Sequence, residues 1–253
     1  VHHYRDQWAK AFDVKYEDDS GEQKYVHQTT YGMSERLLGA TVATHGDDKG
    51  LIMPPSIAPI QVVIVPILSK DGSDEIMYAA NEMVKELKSE KIRVKLDDRD
   101  IRPGQKYYDW EIKGVPLRIE LGPRDLKSNS FMCATRTGEK SSYNLQELIV
   151  SVRKELDLVN AHMKEKAQSH FNRHIKEMPK LEINGSTISF EQNLEDGFVY
   201  EMAFEGNDAE AEMIEKETGF SLLGESTSPY SEKRKCAVTG KLTSNKVFLA
   251  KTY

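Results

Sequence analysis

From Gln61 to about Ile175 short apolar runs alternate with segments of helical periodicity, and this constrains the fold more than any other feature of the chain. VVIVPIL (62–68) reads as a buried strand. Ser73 is placed to cap a helix in which Ile76, Ala80, Met83 and Leu87 recur at helical spacing. IRVKL (92–96) follows as a strand, and Pro103 suits the first turn of a second helix running to about Lys113. LRIEL (117–121) and SFMCATR (130–136) are two further strands, before a long helix from roughly Asn144 to Ile175. Strands and helices in this order favour an α/β domain with a mixed, largely parallel sheet covered by helices.

The flanks differ. Residues 1–58 read as short strands joined by polar turns: AFDVKYED alternates apolar and polar residues, Asp19-Ser20-Gly21 turns the chain, and KYVHQTTYG continues. Met33–Thr44 is a mostly apolar stretch, read either as a buried strand or as a short helix. Pro54, Pro55 and Pro59 then interrupt regular structure, which sets a domain boundary. After Pro179 the segments LEINGSTISFEQ, GFVYEMAFE, KRKCAVTGK and KVFLAKTY surround one helix over Asp208–Thr218, a small α+β domain. The expected division is 1–58, 59–177 and 178–253.

A net charge of −6 argues against bulk electrostatic attraction to nucleic acid. Basic and acidic residues are nearly balanced over 70–140, whereas acidic residues dominate 178–253, so RNA contacts are expected in the middle segment. The longest apolar run, Ile60–Leu68, is too short to span a bilayer, and no secretory signal is evident. Cys133 and Cys236 are read as free thiols of a reducing cytosol, with a disulfide as the alternative. The chain begins at Val1 without methionine and reads as a fragment, or as the ordered part of a longer protein.

Arg36 lies among small residues, Gly32, Gly39 and Ala40, which let a ligand or another backbone come close. A fixed guanidinium there suits a phosphate. In the loop after it, His45, Asp47 and Asp48 offer donors for a cation but equally make a polar turn, the reading preferred here. The context YGMSERLLGATVATHGDDKGLIMPP resembles the third signature motif of class II aminoacyl-tRNA synthetases, and specifically prolyl-tRNA synthetases of the archaeal and eukaryotic type. The resemblance covers nearly the whole chain. It implies that residues 1–58 close an antiparallel catalytic sheet, that Arg36 holds the ATP phosphates and acts as the catalytic residue, and that Ser34 lines the ATP site. HHYRDQWAKAF is similar to the family's HxLGQNFSKxF, which implies that His2 binds proline. QTTYG stands for the family's QTSWG, so Tyr31 replaces a tryptophan on the proline pocket, whose wall Gln28 and Thr29 also shape.

DDRDIRPGQKYYDWEIKGVPLRIELGPRDL resembles the family's anticodon-binding core, ending in GxPxRxExGPRDL. Single-stranded bases are read on their exposed edges, and guanine pairs well with carboxylate and guanidinium groups. The resemblance therefore marks Glu120, Arg124 and Asp125 for anticodon readout, with Arg118 and Lys106 contacting phosphates; a turn-stabilising role is the alternative for Arg124 and Asp125. Many relatives carry four zinc-binding cysteines in the terminal domain. Here FEGNDAEAEMIEKETG and KCAVTGK leave only Cys236, with Glu205 and Thr239 in ligand positions, so no structural zinc is expected. FLAKTY is similar to the family's ending, whose final tyrosine approaches the active site, which implies a role for Tyr253.

The expected function is the C-terminal portion of a cytoplasmic synthetase. That enzyme would activate proline with ATP and Mg2+ to prolyl-adenylate and charge tRNA(Pro); this part, which lacks the first two class II motifs, is expected to be inactive alone. Its parent is expected to be a homodimer with no membrane association. A non-catalytic tRNA-binding module and a sister synthetase of the threonyl type are the rivals.

Overall fold

The computed structural model describes residues 2–68, 73–184, 187–190 and 193–252. The chain divides into two compact units, Val1–Met163 and Lys164–Tyr253.

In the first unit, β1 (His2–Arg5) leads to α1 (Gln7–Ala11), and β2 (Lys15–Glu17) turns into β3 (Gln23–Tyr25), followed by β4 (Gln28–Thr30). β2 and β3 form the expected hairpin, with Gly21 in the left-handed region (φ 81°) at its turn and Asp18 accepting the amides of Ser20 and Glu22. β1 pairs antiparallel with β4. The apolar stretch 33–44 is a helix, α2 (Arg36–His45), with none of its residues buried; Leu37 and Leu38 are both more than half exposed. The reading of a buried strand is therefore corrected. Leucine and alanine favour helix there, and apolar character did not mean burial.

Next come β5 (Val62–Pro66), α3 (Ser73–Ser89), β6 (Val94–Leu96), α4 (Pro103–Ile112) and β7 (Leu117–Leu121). α5 (Pro123–Lys127), β8 (Ser130–Thr135), β9 (Lys140–Asn144) and α6 (Leu148–Arg173) complete the run. Ser73 is the first helical residue of α3 rather than a flanking cap. The sheet has the order β6-β5-β7-β8-β9; β6, β5 and β7 are parallel, and β8 alone runs against the others. One face packs Val62, Ile64, Leu117, Ile119 and Phe131 against Ile76, Ala80, Met83 and Leu87 of α3 and Leu148, Val152 and Leu156 of α6. On the other face Val63 and Val65 meet Trp110 of α4. A strand buried on both faces reads as a continuous apolar run, hence VVIVP.

The second unit contains β10 (Ile175–Glu177), β11 (Leu181–Asn184), β12 (Thr187–Phe190), β13 (Val199–Ala203), α7 (Asp208–Thr218), β14 (Ser221–Glu225), β15 (Arg234–Lys235), β16 (Leu242–Thr243) and β17 (Lys246–Ala250). Its main sheet has the order β10-β13-β17-β14, over a core that includes Tyr200, Met202, Ile214, Phe220, Cys236 and Leu249. Asn207 and Glu210 cap the first turn of α7 reciprocally, and Gly219 (φ 69°) ends it, which fixes the helix where the sequence placed it. Cys133 and Cys236 are free and buried. Among the described residues no helix is long and apolar enough to cross a membrane.

Candidate nucleotide and anticodon sites

Two groups of predicted residues fall in different parts of the first unit. Pairing of β1 with β4 sets His2 opposite Thr30, the residue before Tyr31. His2 and Tyr31 are both exposed, Tyr31 at 78%, and His2 stacks on Tyr4 at 6.0 Å. A shallow cavity of about 350 Å³ on the same strands is lined by Tyr4, Trp8, Phe12, Gln28, Thr29 and Thr30, not by His2 or Tyr31. Ser34 Oγ accepts the Arg36 amide at 3.4 Å, and the first turn of α2 presents the Arg36 side chain to solvent. That guanidinium has no ion-pair partner among the described residues. An arginine at the first turn of an exposed helix is thus available to a phosphate.

The loop after α2 is a structural joint. Arg136, 7% exposed, grips the Asp47 carboxylate through both terminal nitrogens and donates from Nε to Glu111 O at 3.0 Å. With its carboxylate so engaged, Asp47 does not suit a divalent cation, and the loop is the polar turn the sequence suggested. Leu51 and Met53 donate to Ile112 O and Gly114 O at the end of α4. Further along, Arg93 donates to the carbonyls of Pro55, Ser56 and Ala58 at 2.8–3.1 Å.

On the α4 side of the sheet, Arg118 and Glu120 point the same way along β7, as alternate strand residues do. Arg118 Nε donates to Glu120 Oε1 at 3.0 Å, its guanidinium lies 3.9 Å from the Tyr107 ring centre, and Glu111 approaches at 3.5 Å. Lys140 of β9 is 3.9 Å from Glu120. Burial, with Glu120 nearby, pushes the Tyr107 phenol up to about 12. The result is a closely packed cluster of aromatic, guanidinium and carboxylate groups in which the Arg118 and Glu120 side chains are mostly buried. Tyr107, Glu111 and Lys140 were missed from the sequence; the alternation of KSSYN, which makes β9, was the available signal for Lys140.

Arg124 and Asp125, both on α5, differ. Arg124 is exposed. Asp125 accepts the Gly122 amide at 2.9 Å and so stabilises the turn after β7. Lys106 is 2% exposed, with Nζ donating to Asp97 O at 3.0 Å. An ammonium turned inward cannot reach a backbone phosphate, so the phosphate reading of Lys106 is corrected. It belongs to a network in which Asp97 accepts from Arg99 (2.7–2.8 Å) and from Trp110 Nε1 (2.7 Å), at the carboxyl end of β6. Burial opposes the Asp97 charge, but the Arg99 and Trp110 hydrogen bonds outweigh it and hold the carboxyl down at about 2.

In the second unit Glu205, Cys236 and Thr239, which the resemblance sets at the family's ligand positions, meet. Cys236 Sγ accepts the amides of Glu205 (3.2 Å) and Thr239 (3.4 Å). Burial pushes the Cys236 thiol up, while Thr239 and the Glu205 amide pull it further down, below its usual value. The Glu205 carboxylate, however, accepts from Thr243 Oγ1 (2.5 Å) and Asn245 Nδ2 (3.0 Å). One sulfur, a threonine hydroxyl and a carboxylate already engaged do not fit a tetrahedral thiolate site. Tyr253 and Val1 lie outside the described residues.

The part of the chain that holds the five-stranded α/β sheet, residues 61–155, matches the family described as "Anticodon binding domain". Along its whole length the chain is 42% identical to a proline–tRNA ligase from Methanosarcina mazei, covering 52% of that protein, and 41% identical to one from Thermococcus kodakarensis, covering 53%. The solved structure of Giardia lamblia prolyl-tRNA synthetase in complex with prolyl-adenylate superposes with a TM-score of 0.84, at 28% identity, over all of this chain and 55% of that one. The chain is a prolyl-tRNA synthetase homologue spanning about half the length of the relatives it matches.

Proposed function

We propose that this chain is the part of a prolyl-tRNA synthetase that supplies motif 3 and reads the anticodon. The whole enzyme activates proline with ATP to prolyl-adenylate and transfers the prolyl group to tRNA(Pro). The observation that carries this reading is identity above 40% along the entire chain to proline–tRNA ligases. It is supported by the likeness to a synthetase solved with prolyl-adenylate.

In this reading residues 1–58 belong to the catalytic domain, 59–177 to the anticodon-binding domain and 178–253 to the terminal domain. Arg36 neutralises ATP phosphates, and Ser34 holds the start of its helix while lining the ATP site. His2 and Tyr31 face proline. Charge developing on the phosphates is stabilised by the positioned cation rather than by covalent help from the protein. Magnesium accompanies ATP, and no residue of this chain is assigned to hold it. Arg124 and the Arg118–Glu120 pair read anticodon bases, while Asp125 positions the turn that carries Arg124. The parent works as a cytoplasmic homodimer, and the 253-residue part does not activate proline alone.

The test is amino-acid-dependent ATP–pyrophosphate exchange by the full-length gene product, with proline compared against threonine, alanine and cysteine. Proline should drive exchange, and Arg36→Ala should lower it by about a hundredfold or more. Exchange driven by threonine would point to the sister enzyme. No exchange with any amino acid would replace this reading with a non-catalytic tRNA-binding one.

A further inference from the structure

Three segments of the second unit converge around Glu205 and Cys236. The first follows β13 and contains Glu205. The second is the tight turn Cys236–Lys241, in which Gly240 donates to Cys236 O and the Cys236 amide donates to Lys241 O at 2.7 Å. The third is the Thr243–Asn245 corner between β16 and β17, where Thr243 Oγ1 also accepts the Asn245 amide at 3.0 Å.

Two amides aim at the sulfur, Thr239 from the turn and Glu205 from the segment after β13, an arrangement equally suited to a metal-bound thiolate. What it lacks is the set of partner thiolates that would let a metal join the segments. The Glu205 residue makes that join instead. Its amide reaches Cys236 Sγ, and its carboxylate takes one hydrogen bond from Thr243 and one from Asn245. Its carbonyl is the nearest acceptor for Thr239 Oγ1, at 3.5 Å. Thr243 is 4% exposed and Cys236 3%, Thr239 and Asn245 are half-buried, and the Glu205 residue is exposed, so the clasp ties a buried sulfur and hydroxyl to a carboxylate at the surface.

We propose that Glu205, Cys236, Thr239, Thr243 and Asn245 form a hydrogen-bonded clasp that cross-links the terminal unit without a metal ion. The clasp rests on contacts within the unit and stands whether or not the catalytic reading holds.

The experiment is amide hydrogen exchange on the complete 253-residue chain, read at Glu205, Thr239 and Asn245, together with metal analysis. Exchange at these amides should be slow, and the same before chelation, after o-phenanthroline and EDTA, and after added zinc. Glu205→Ala should speed it by roughly ten- to a hundredfold, the loss of two hydrogen bonds to a charged acceptor. Thr243→Val preserves side-chain shape but removes both a donor to Glu205 and the acceptor of the Asn245 amide; read at the Glu205 and Thr239 amides alone, it should speed exchange less and keeps the test open if Glu205→Ala does not fold. Zinc retained at one per chain, faster exchange on chelation, or unchanged exchange in Thr243→Val would each overturn the clasp.

Discussion

At Arg124 the guanidinium lies open to solvent, whereas at Arg118 it is closed onto Glu120 and Tyr107, so the two substitutions have different consequences. Arg124→Ala in the full-length enzyme should lower kcat/KM for tRNA(Pro) by about tenfold or more, the discrimination of one good base contact, and leave proline-dependent exchange unchanged. Arg118→Ala should add a loss of stability of about 1–3 kcal/mol in urea unfolding, because Glu120 is left with a distant Lys140 as its remaining cation. Asp97 carries the pH dependence. Its folded pKa of about 2 lies below the ordinary 3.8, so its stabilising contribution is complete above about pH 4 and is lost as pH falls through 2. Acid titration followed by circular dichroism should show this component in the parent chain and not in Asp97→Asn. The residues marked by motif were legible in the sequence as identities but not as roles. Nothing in GPRDL says that Asp125 faces back to Gly122 while Arg124 faces out, and nothing in PGQKYY says that Lys106 points inward.

Elements were more legible than single side chains because periodicity reports burial over many residues. α3 buries the four positions its spacing marked, and α7 has the expected bounds because capping residues stand at both ends. α2 was ambiguous since an apolar helix of ten residues with no buried face carries no amphipathic signal. β9 and α5 were passed over because each is five residues long and polar. One junction between elements is set by glycine. Gly114 has φ 69°, and a Cβ there would come within 2.7 Å of the Leu51 backbone. Gly114→Ala should therefore cost about 1–3 kcal/mol of stability, measured by urea unfolding, and loosen the segment after the Asp47 loop from the end of α4.

For the molecule as a whole, net charge limits how RNA is held. With a net charge of −6, tRNA binding by this chain should be weak and only mildly salt-dependent. A plot of log K against log salt by fluorescence anisotropy should have a slope near −2, corresponding to about three neutralised phosphates. A slope several times steeper would mean that bulk attraction dominates. The α/β order was visible in the sequence, whereas the contacts tying residues 47–58 to the sheet were not. Arg136 and Asp47 are far apart along the chain, and no local pattern pairs them.

Those contacts bear on how such a domain can be transplanted. A graft that began at Gln61, where the strand pattern starts, would bring Arg93 and Arg136 without the carbonyls and carboxylate they hold. Arg136, nearly buried, would then face its new host as an uncompensated charge. A graft that began upstream of Asp47 would travel with its own acceptors, so the smallest portable piece of this protein is longer than its sheet.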